Sequence, residues 1–236
     1  MASSSEVEQV TVNHLVAGSI PASPANQIMN NIQLIKEIVE VDNFYNIYKQ
    51  REILSHALSV ENQWRYNNFL TVDYQKQPFS DFRHFLESGQ IRDISGFTCG
   101  FDLEDEKTKI FLEDIKNNIT EKFGISVDTI KRAMFVFIPP DPTYNKNLRA
   151  TPHVDYRKDN KLKNFLYYLV DNDAETIFYN QKFDPNQDVS TLSQEILHTV
   201  KPKKGKAIIF NGNIYHSSNV SNIYKRLTLN ILFREK

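Results

Sequence analysis

This sequence of 236 residues has little cysteine, and it shows neither a long apolar run nor a targeting signal. Cys99 is the single cysteine, which excludes a disulfide within the chain and suits a reducing compartment. No apolar run approaches the roughly 18 residues that a membrane-spanning helix needs. No Lys or Arg precedes an apolar segment near the N-terminus, so the sequence predicts no signal peptide. We therefore expect a cytoplasmic protein.

An excess of charge of either sign is also missing. The chain has 28 Lys and Arg against 29 Asp and Glu, which gives a formal net charge of −1. A balanced chain has no overall field that attracts nucleic acid or an anionic membrane. Short basic clusters at residues 157–163 and 201–206 are more typical of solvated loops than of a binding surface. The composition therefore favours neither a nucleic-acid nor a membrane partner.

The N-terminal half changes character at Met29. Residues 1–28 are rich in Ser, Ala and Pro and have little periodic hydrophobicity, which predicts a disordered lead outside the fold. We also expect that the native protein begins at Met29. Residues 29–130 show helical spacing of apolar side chains, with Asp105 as a helix cap and Gly124 as a helix stop. Three apolar stripes carry this prediction: Ile32, Ile35, Ile38 and Val39; Ile47, Leu54 and Leu58; Phe111, Ile115, Ile119 and Phe123. For the second stripe, Asp42 or Asn43 is the expected helix cap.

The C-terminal part has the pattern of β-strands. Residues 134–138 form an apolar run that ends at Pro139, and residues 226–233 alternate between polar and apolar side chains. Counting gives about eight strands, enough for a double-stranded β-helix, or jelly roll. We expect a mainly β protein in which residues 29–236 form one domain, with helical support at 29–130 flanking a jelly-roll core at 131–236. Strand counting alone leaves other β-sandwiches open.

His153 and Asp155 are the first candidates for a chemical role. One residue separates them, so on a strand their side chains project from the same face. A second imidazole, from His216, would join them if the fold brought that distant strand to the same place. Two imidazoles and one carboxylate are the ligand set of non-haem Fe(II) sites, which keep other coordination positions open. Taken alone, the His-x-Asp tripeptide is more often a solvated polar turn.

Further motifs surround these three residues in a fixed order. They are Tyr144 before His153, Tyr168 and Leu169 at the end of a strand, a Glu-Thr-Ile-Phe strand at 175–178, a Pro-Lys-Lys-Gly turn at 202–205, and Arg226 ten residues after His216. In this order, residues 144–233 resemble the catalytic core of the Fe(II)/2-oxoglutarate-dependent dioxygenases, most closely the prolyl-4-hydroxylase-like branch. The resemblance implies the double-stranded β-helix fold.

The resemblance also implies a reaction and its site residues. His153, Asp155 and His216 are expected to bind Fe(II) and to form the catalytic site. Arg226, whose planar fork matches a carboxylate, is expected to bind the far carboxylate of the cosubstrate 2-oxoglutarate, with Thr228 and Tyr144 as additional donors. With O2, and with ascorbate as a reductant, the enzyme would hydroxylate an unactivated C–H bond and release succinate and CO2.

The expected substrate is a prolyl or other amino-acid or peptide group, or another small molecule. Related halogenases lack the carboxylate ligand, so the presence of Asp155 favours hydroxylation. The alternative is a metal-binding, cupin-like jelly-roll protein that is non-catalytic or does not use 2-oxoglutarate. Arg226 distinguishes the two hypotheses, because a cupin needs no carboxylate anchor at that position.

Overall fold

The structure is a computed structural model. It describes residues 33–59, 61–67, 91–92, 94–143, 149–155, 161–186 and 195–236. The predicted N-terminal lead at 1–28 and Tyr144 lie outside the described residues. In the ranges that the structure covers, no helix is long and apolar enough to cross a membrane.

Two long helices and twelve strands make up most of the regular structure of the described residues, and residues 33–35 are also helical. The helices are α1 (Ile47–Ala57) and α2 (Glu106–Phe123). The first six strands are β1 (Val39–Val41), β2 (Arg65–Asn67), β3 (Ile91–Arg92), β4 (Gly96–Gly100), β5 (Val127–Ile138) and β6 (Arg149–Ala150). The other six are β7 (Leu162–Tyr168), β8 (Thr176–Lys182), β9 (Ile196–Val200), β10 (Ala207–Asn211), β11 (Ile214–Ser218) and β12 (Arg226–Glu235).

Two antiparallel sheets form the body of the fold. The major sheet has seven strands in the order β1-β10-β7-β12-β5-β4-β2, and the minor sheet has three in the order β11-β8-β9. A short parallel pair, β3 and β6, stands apart from them. Strands β7, β10 and β12 lie in the major sheet and β8, β9 and β11 in the minor sheet, so the chain passes back and forth between the two sheets, as the winding of a double-stranded β-helix requires. The predicted fold class is confirmed.

The central strand β12 shows how the sequence separates the two faces of the major sheet. Side chains of successive residues point to opposite faces of a strand. Leu227, Leu229 and Ile231 belong to the larger core cluster, which also contains residues of α1 and α2. Arg226 and Thr228 therefore face the other way, toward the minor sheet. Across the interior, the second cluster consists of Leu166, Tyr168, Phe178, Val200, Ile208, Phe210 and Ile214.

Helix α2 begins and ends where the sequence predicts. Asp105 accepts a hydrogen bond from the Thr108 backbone N–H at 2.8 Å, and Gly124 adopts the left-handed conformation with φ of 69°. Such a residue ends a helix without the steric cost of a side chain. For α1, the predicted cap was wrong: Asn46, and neither Asp42 nor Asn43, accepts from the Lys49 backbone N–H.

The helical prediction for residues 29–39 was wrong at its C-terminal end. Val39 begins strand β1, which pairs with β10 at the edge of the major sheet. An isolated helix of this length is marginal in water, whereas the edge of β10 offers a full set of backbone partners. Strands β2, β3 and β4 also lie within residues 29–130, so this segment contributes strands to the sheets as well as helices.

Removal of residues 1–28 should leave the stability of the protein unchanged. Strand β1 begins at Val39, and Phe44 is the first buried residue in the described part of the chain, so both lie well inside a chain that starts at Met29. We expect the shortened and the full chains to have the same melting temperature, measured by circular dichroism. A fall of several degrees would show that the lead belongs to the fold.

Candidate metal centre

His153, Asp155 and His216 lie together inside the barrel. One possible ligand atom from each residue lies within 4.8 Å of those of the other two. His153 and His216 form an isolated antiparallel bridge, in which each backbone N–H donates to the other's carbonyl at 2.9 Å. The Asp155 N–H donates to the Gly212 carbonyl at 3.1 Å. Backbone pairing between segments that are distant in sequence therefore sets the positions of all three side chains.

Both imidazoles are oriented by backbone carbonyls. Nδ1 of His216 is 3.0 Å from the Ile214 carbonyl oxygen, and Nδ1 of His153 is 3.4 Å from the Thr151 carbonyl oxygen. A hydrogen on each Nδ1 leaves Nε2 with a free lone pair, which is the usual arrangement of metal-binding histidines. Burial and the neighbouring His216 lower the pKa of His153 to about 4, so this imidazole is neutral at pH 7.

The Asp155 carboxylate is ionised and firmly held. Nη2 of Arg132 is 2.5 Å from Oδ1, and Nδ2 of Asn164 is 2.5 Å from Oδ2. Burial opposes ionisation, but the charge of Arg132 and the contact with His216 outweigh it and hold the pKa of Asp155 well below its usual range. Oδ2 lies 3.2 Å from Nε2 of His216. Two imidazole nitrogens and one anionic oxygen thus converge, a donor set that fits Fe(II).

Arg226 lies deeper in the barrel and is 5% exposed. Its guanidinium donates to the Ala174 carbonyl and to Oγ1 of Thr176, both at 2.7 Å, and lies 5.2 Å from the centre of the Tyr168 ring. Burial lowers the pKa of Arg226, yet an arginine remains charged in proteins. Among the residues that the structure describes, no Asp or Glu forms an ion pair with it. A buried cation with only neutral partners is prepared for an anionic ligand.

The register of the minor sheet relates Arg226 to the three converging residues. Thr176, which binds the guanidinium, pairs with Ser218, and Phe178 pairs with His216. Two residues of a strand span about 7 Å, so the two sites are separated by roughly the length of a short dicarboxylate. The rings of Tyr168 and Phe178, both buried, line the same apolar interior.

The remaining predicted site residues have different outcomes. Thr228 is buried, follows Arg226 on the same face of β12 and pairs with Tyr168 on β7. Tyr144 lies outside the described residues, so its role remains a prediction.

Sequence reasoning missed Arg132 and Asn164, although one signal was available for Arg132. Strand β5 continues from an apolar run back through Arg132, and strand alternation places that arginine on the same face as Met134.

Comparison with known proteins gives structural matches only. No family model matches the sequence, and no curated protein matches it. The non-haem α-ketoglutarate-dependent epimerase SnoN of nogalamycin biosynthesis has a TM-score of 0.56 at 13% identity, with coverage of 90% of this chain and 84% of the epimerase. An oxidoreductase of the 2OG-Fe(II) oxygenase family from Burkholderia pseudomallei has a TM-score of 0.55 at 10% identity, covering 88% of this chain and 90% of the other.

A prolyl hydroxylase from Trichoplax adhaerens, in complex with a peptide fragment of the hypoxia inducible factor oxygen degradation domain, has a TM-score of 0.53. The identity is 13%, and the match covers 89% of this chain and 90% of the hydroxylase. Matches at such low identity establish the fold alone. The chain therefore has the double-stranded β-helix fold of the 2-oxoglutarate- and Fe(II)-dependent oxygenases, prolyl hydroxylases among them, which confirms the fold that its sequence resemblance predicts.

Proposed function

We propose that the protein is an Fe(II)- and 2-oxoglutarate-dependent dioxygenase that hydroxylates an unactivated C–H bond. The observation that carries this proposal is the combination of two sites in one barrel. His153, His216 and ionised Asp155 converge at one of them, while a buried Arg226 without a carboxylate partner among the described residues lies at the other. The fold shared with known oxygenases supports the same conclusion.

His153, Asp155 and His216 would hold the iron, and Arg226 would hold the far carboxylate of 2-oxoglutarate. When they are bound, Fe(II), 2-oxoglutarate and O2 supply an oxidant for the C–H bond, with release of succinate and CO2. The carbonyls of Thr151 and Ile214 fix the hydrogen of each imidazole on Nδ1 and keep Nε2 available.

The neighbours of Arg226 hold its guanidinium in place in the absence of a ligand. Thr176 and Tyr168 share a hydrogen bond of 2.6 Å and hold the guanidinium of Arg226 from two sides. The guanidinium therefore loses little freedom when a carboxylate binds. Tyr168, Phe178 and Phe210 are buried and keep water away from this interior, which strengthens the attraction between the guanidinium and a carboxylate.

For the substrate, we propose a prolyl or other amino-acid or peptide group. The sequence resemblance to the prolyl-4-hydroxylase-like branch motivates this choice, and one protein of similar fold is a prolyl hydroxylase in complex with a peptide fragment. Substrate choice depends on the groups around the metal rather than on the fold. The substrate is therefore the part of the proposal that needs the broadest experiment.

Purified protein should convert 2-oxoglutarate to succinate in the presence of Fe(II), O2 and ascorbate. Omission of iron should stop this conversion, because the three side chains cannot bind or reduce O2 by themselves. Proline-containing peptides, free amino acids and small-molecule pools should be screened in parallel by mass spectrometry for a product heavier by one oxygen atom.

The result also separates the proposal from the cupin-like alternative. A protein that binds Fe(II) but neither binds nor turns over 2-oxoglutarate, with any of these substrates, would favour a metal-binding jelly-roll protein. Turnover of 2-oxoglutarate with formation of a product other than an alcohol would keep the enzyme class and exclude hydroxylation.

A further inference from the structure

The two oxygens of the Asp155 carboxylate have different neighbours. Oδ2 faces the imidazoles, 3.2 Å from Nε2 of His216, and also accepts a hydrogen bond from Asn164. Oδ1 accepts a hydrogen bond from Nη2 of Arg132 at 2.5 Å. Each carboxylate oxygen has two lone-pair positions, so Oδ2 retains one for a metal while Oδ1 is engaged by a cation.

We propose that Arg132 is a positioning residue that keeps Asp155 a one-oxygen ligand of the bound metal. Carboxylates bind metals through one or both oxygens, and a charge-assisted hydrogen bond from arginine competes for the second. Holding Oδ1 in this way preserves a coordination position that a two-oxygen Asp155 would fill. The inference rests on the proposed metal site, because a chelating cosubstrate and O2 both need open positions there.

The sheet register supports a fixed rather than an incidental contact. Arg132 on β5 and Asn164 on β7 both pair with Leu232 of β12, so they approach Asp155 from either side of one strand. Central strands of a seven-stranded sheet hold both backbones in place. The two donors therefore hold the carboxylate in a single orientation.

Among the described residues, the guanidinium of Arg132 has few hydrogen-bond partners other than Asp155. Its Nε is buried and has no hydrogen-bond partner in the described part of the chain, and its side chain is 40% exposed. Among the described residues, Asp155 is thus the anion that fixes this guanidinium, and a purely structural ion pair at a partly exposed position would contribute little to stability. A hydrogen bond that holds Oδ1 of Asp155 explains why an arginine occupies this position on the interior face of β5.

The experiment uses the full chain loaded with Mn(II) as the probe metal, without cosubstrate. The number of water molecules bound to Mn(II) is measured from the broadening of its electron paramagnetic resonance signal in water enriched in oxygen-17. Arg132→Met removes the hydrogen bond to Oδ1. Lys131→Met is the matched control, because this exposed neighbour on β5 has the same charge and has no ion pair with Asp155 among the described contacts. Arg132→Gln, whose side chain is too short to reach Oδ1, replaces Arg132→Met if that variant does not fold.

We expect the parent and Lys131→Met to bind the same number of waters and the Arg132 variant to bind one fewer, because Oδ1 then joins the metal. An unchanged water number in the Arg132 variant would overturn the inference, as would the same loss in Lys131→Met. The count needs no 2-oxoglutarate. Failure of the parent to bind the cosubstrate would therefore contradict the proposed function and leave this inference standing on the metal data.

Discussion

Asp155→Asn should abolish tight binding of Fe(II) and also destabilise the metal-free protein. Both oxygens of Asp155 accept hydrogen bonds, from Arg132 and from Asn164. An amide has only one acceptor oxygen, so its NH2 group must face one of these donors. A buried polar group left without its partner costs about 1–3 kcal/mol. The substitution also removes the only anionic member of the triad.

Calorimetric titration with Fe(II) under anaerobic conditions, together with thermal unfolding of the metal-free protein, measures both effects. Asp128→Asn is a suitable control because Asp128 is an exposed residue of β5. Among the contacts described, it is hydrogen-bonded only to its neighbour Thr129. His153→Ala and His216→Ala should each stop succinate formation, and the double variant should add no further loss because both act on one site. Near-normal metal binding by Asp155→Asn would exclude the assignment of this centre.

Arg226→Met should weaken 2-oxoglutarate binding and leave metal binding nearly unchanged. Loss of one partner of a buried, hydrogen-bonded charge pair costs about 2–5 kcal/mol, and about 1.4 kcal/mol corresponds to a tenfold change in affinity. The expected loss of affinity is therefore roughly 30-fold to several-thousand-fold. Without cosubstrate the variant should retain most of its stability, because Met removes the desolvation penalty of a buried cation together with its two hydrogen bonds.

Titration of 2-oxoglutarate into Mn(II)-loaded protein by calorimetry tests this expectation. Arg226→Lys should retain part of the affinity, since it keeps the charge but loses the planar fork. Arg51→Met on the exposed side of α1 controls for the loss of one positive charge from the molecule. Equal affinities of the parent and Arg226→Met for 2-oxoglutarate would remove the cosubstrate assignment and favour the cupin-like alternative.

The sequence predicted those features that depend on local patterns. Strand alternation in β12 separates Leu227 from Arg226 without knowledge of the neighbouring strands, because successive side chains always point to opposite faces. Asp105 and Gly124 mark the ends of α2 because capping is a property of a few adjacent residues. Where a local pattern was short, as at Val39, pairing with a distant strand overruled it.

The candidate site was predictable in part for the same reason. The spacing of His153 and Asp155 is a local pattern, whereas His216 and Arg226 were predicted from the order of motifs that carries the resemblance to the dioxygenases. Sequence spacing could not show that the Oδ1 partner of Asp155 is Arg132, because 23 residues separate them. Strand alternation places Arg132 on the same face as Met134, but it does not show which carboxylate that face meets.

The sequence by itself therefore determined the fold class, the ends of α2 and the identity of the His153, Asp155 and His216 set. Only the tertiary structure decided which oxygen of Asp155 faces the imidazoles. It also decided that the partners of Arg226 within the described chain are neutral groups some fifty residues away, the Ala174 carbonyl and the Thr176 hydroxyl. The physical reason is that backbone propensities act between neighbours in sequence, whereas hydrogen bonds and charge burial depend on residues that meet only when the two sheets close over one another.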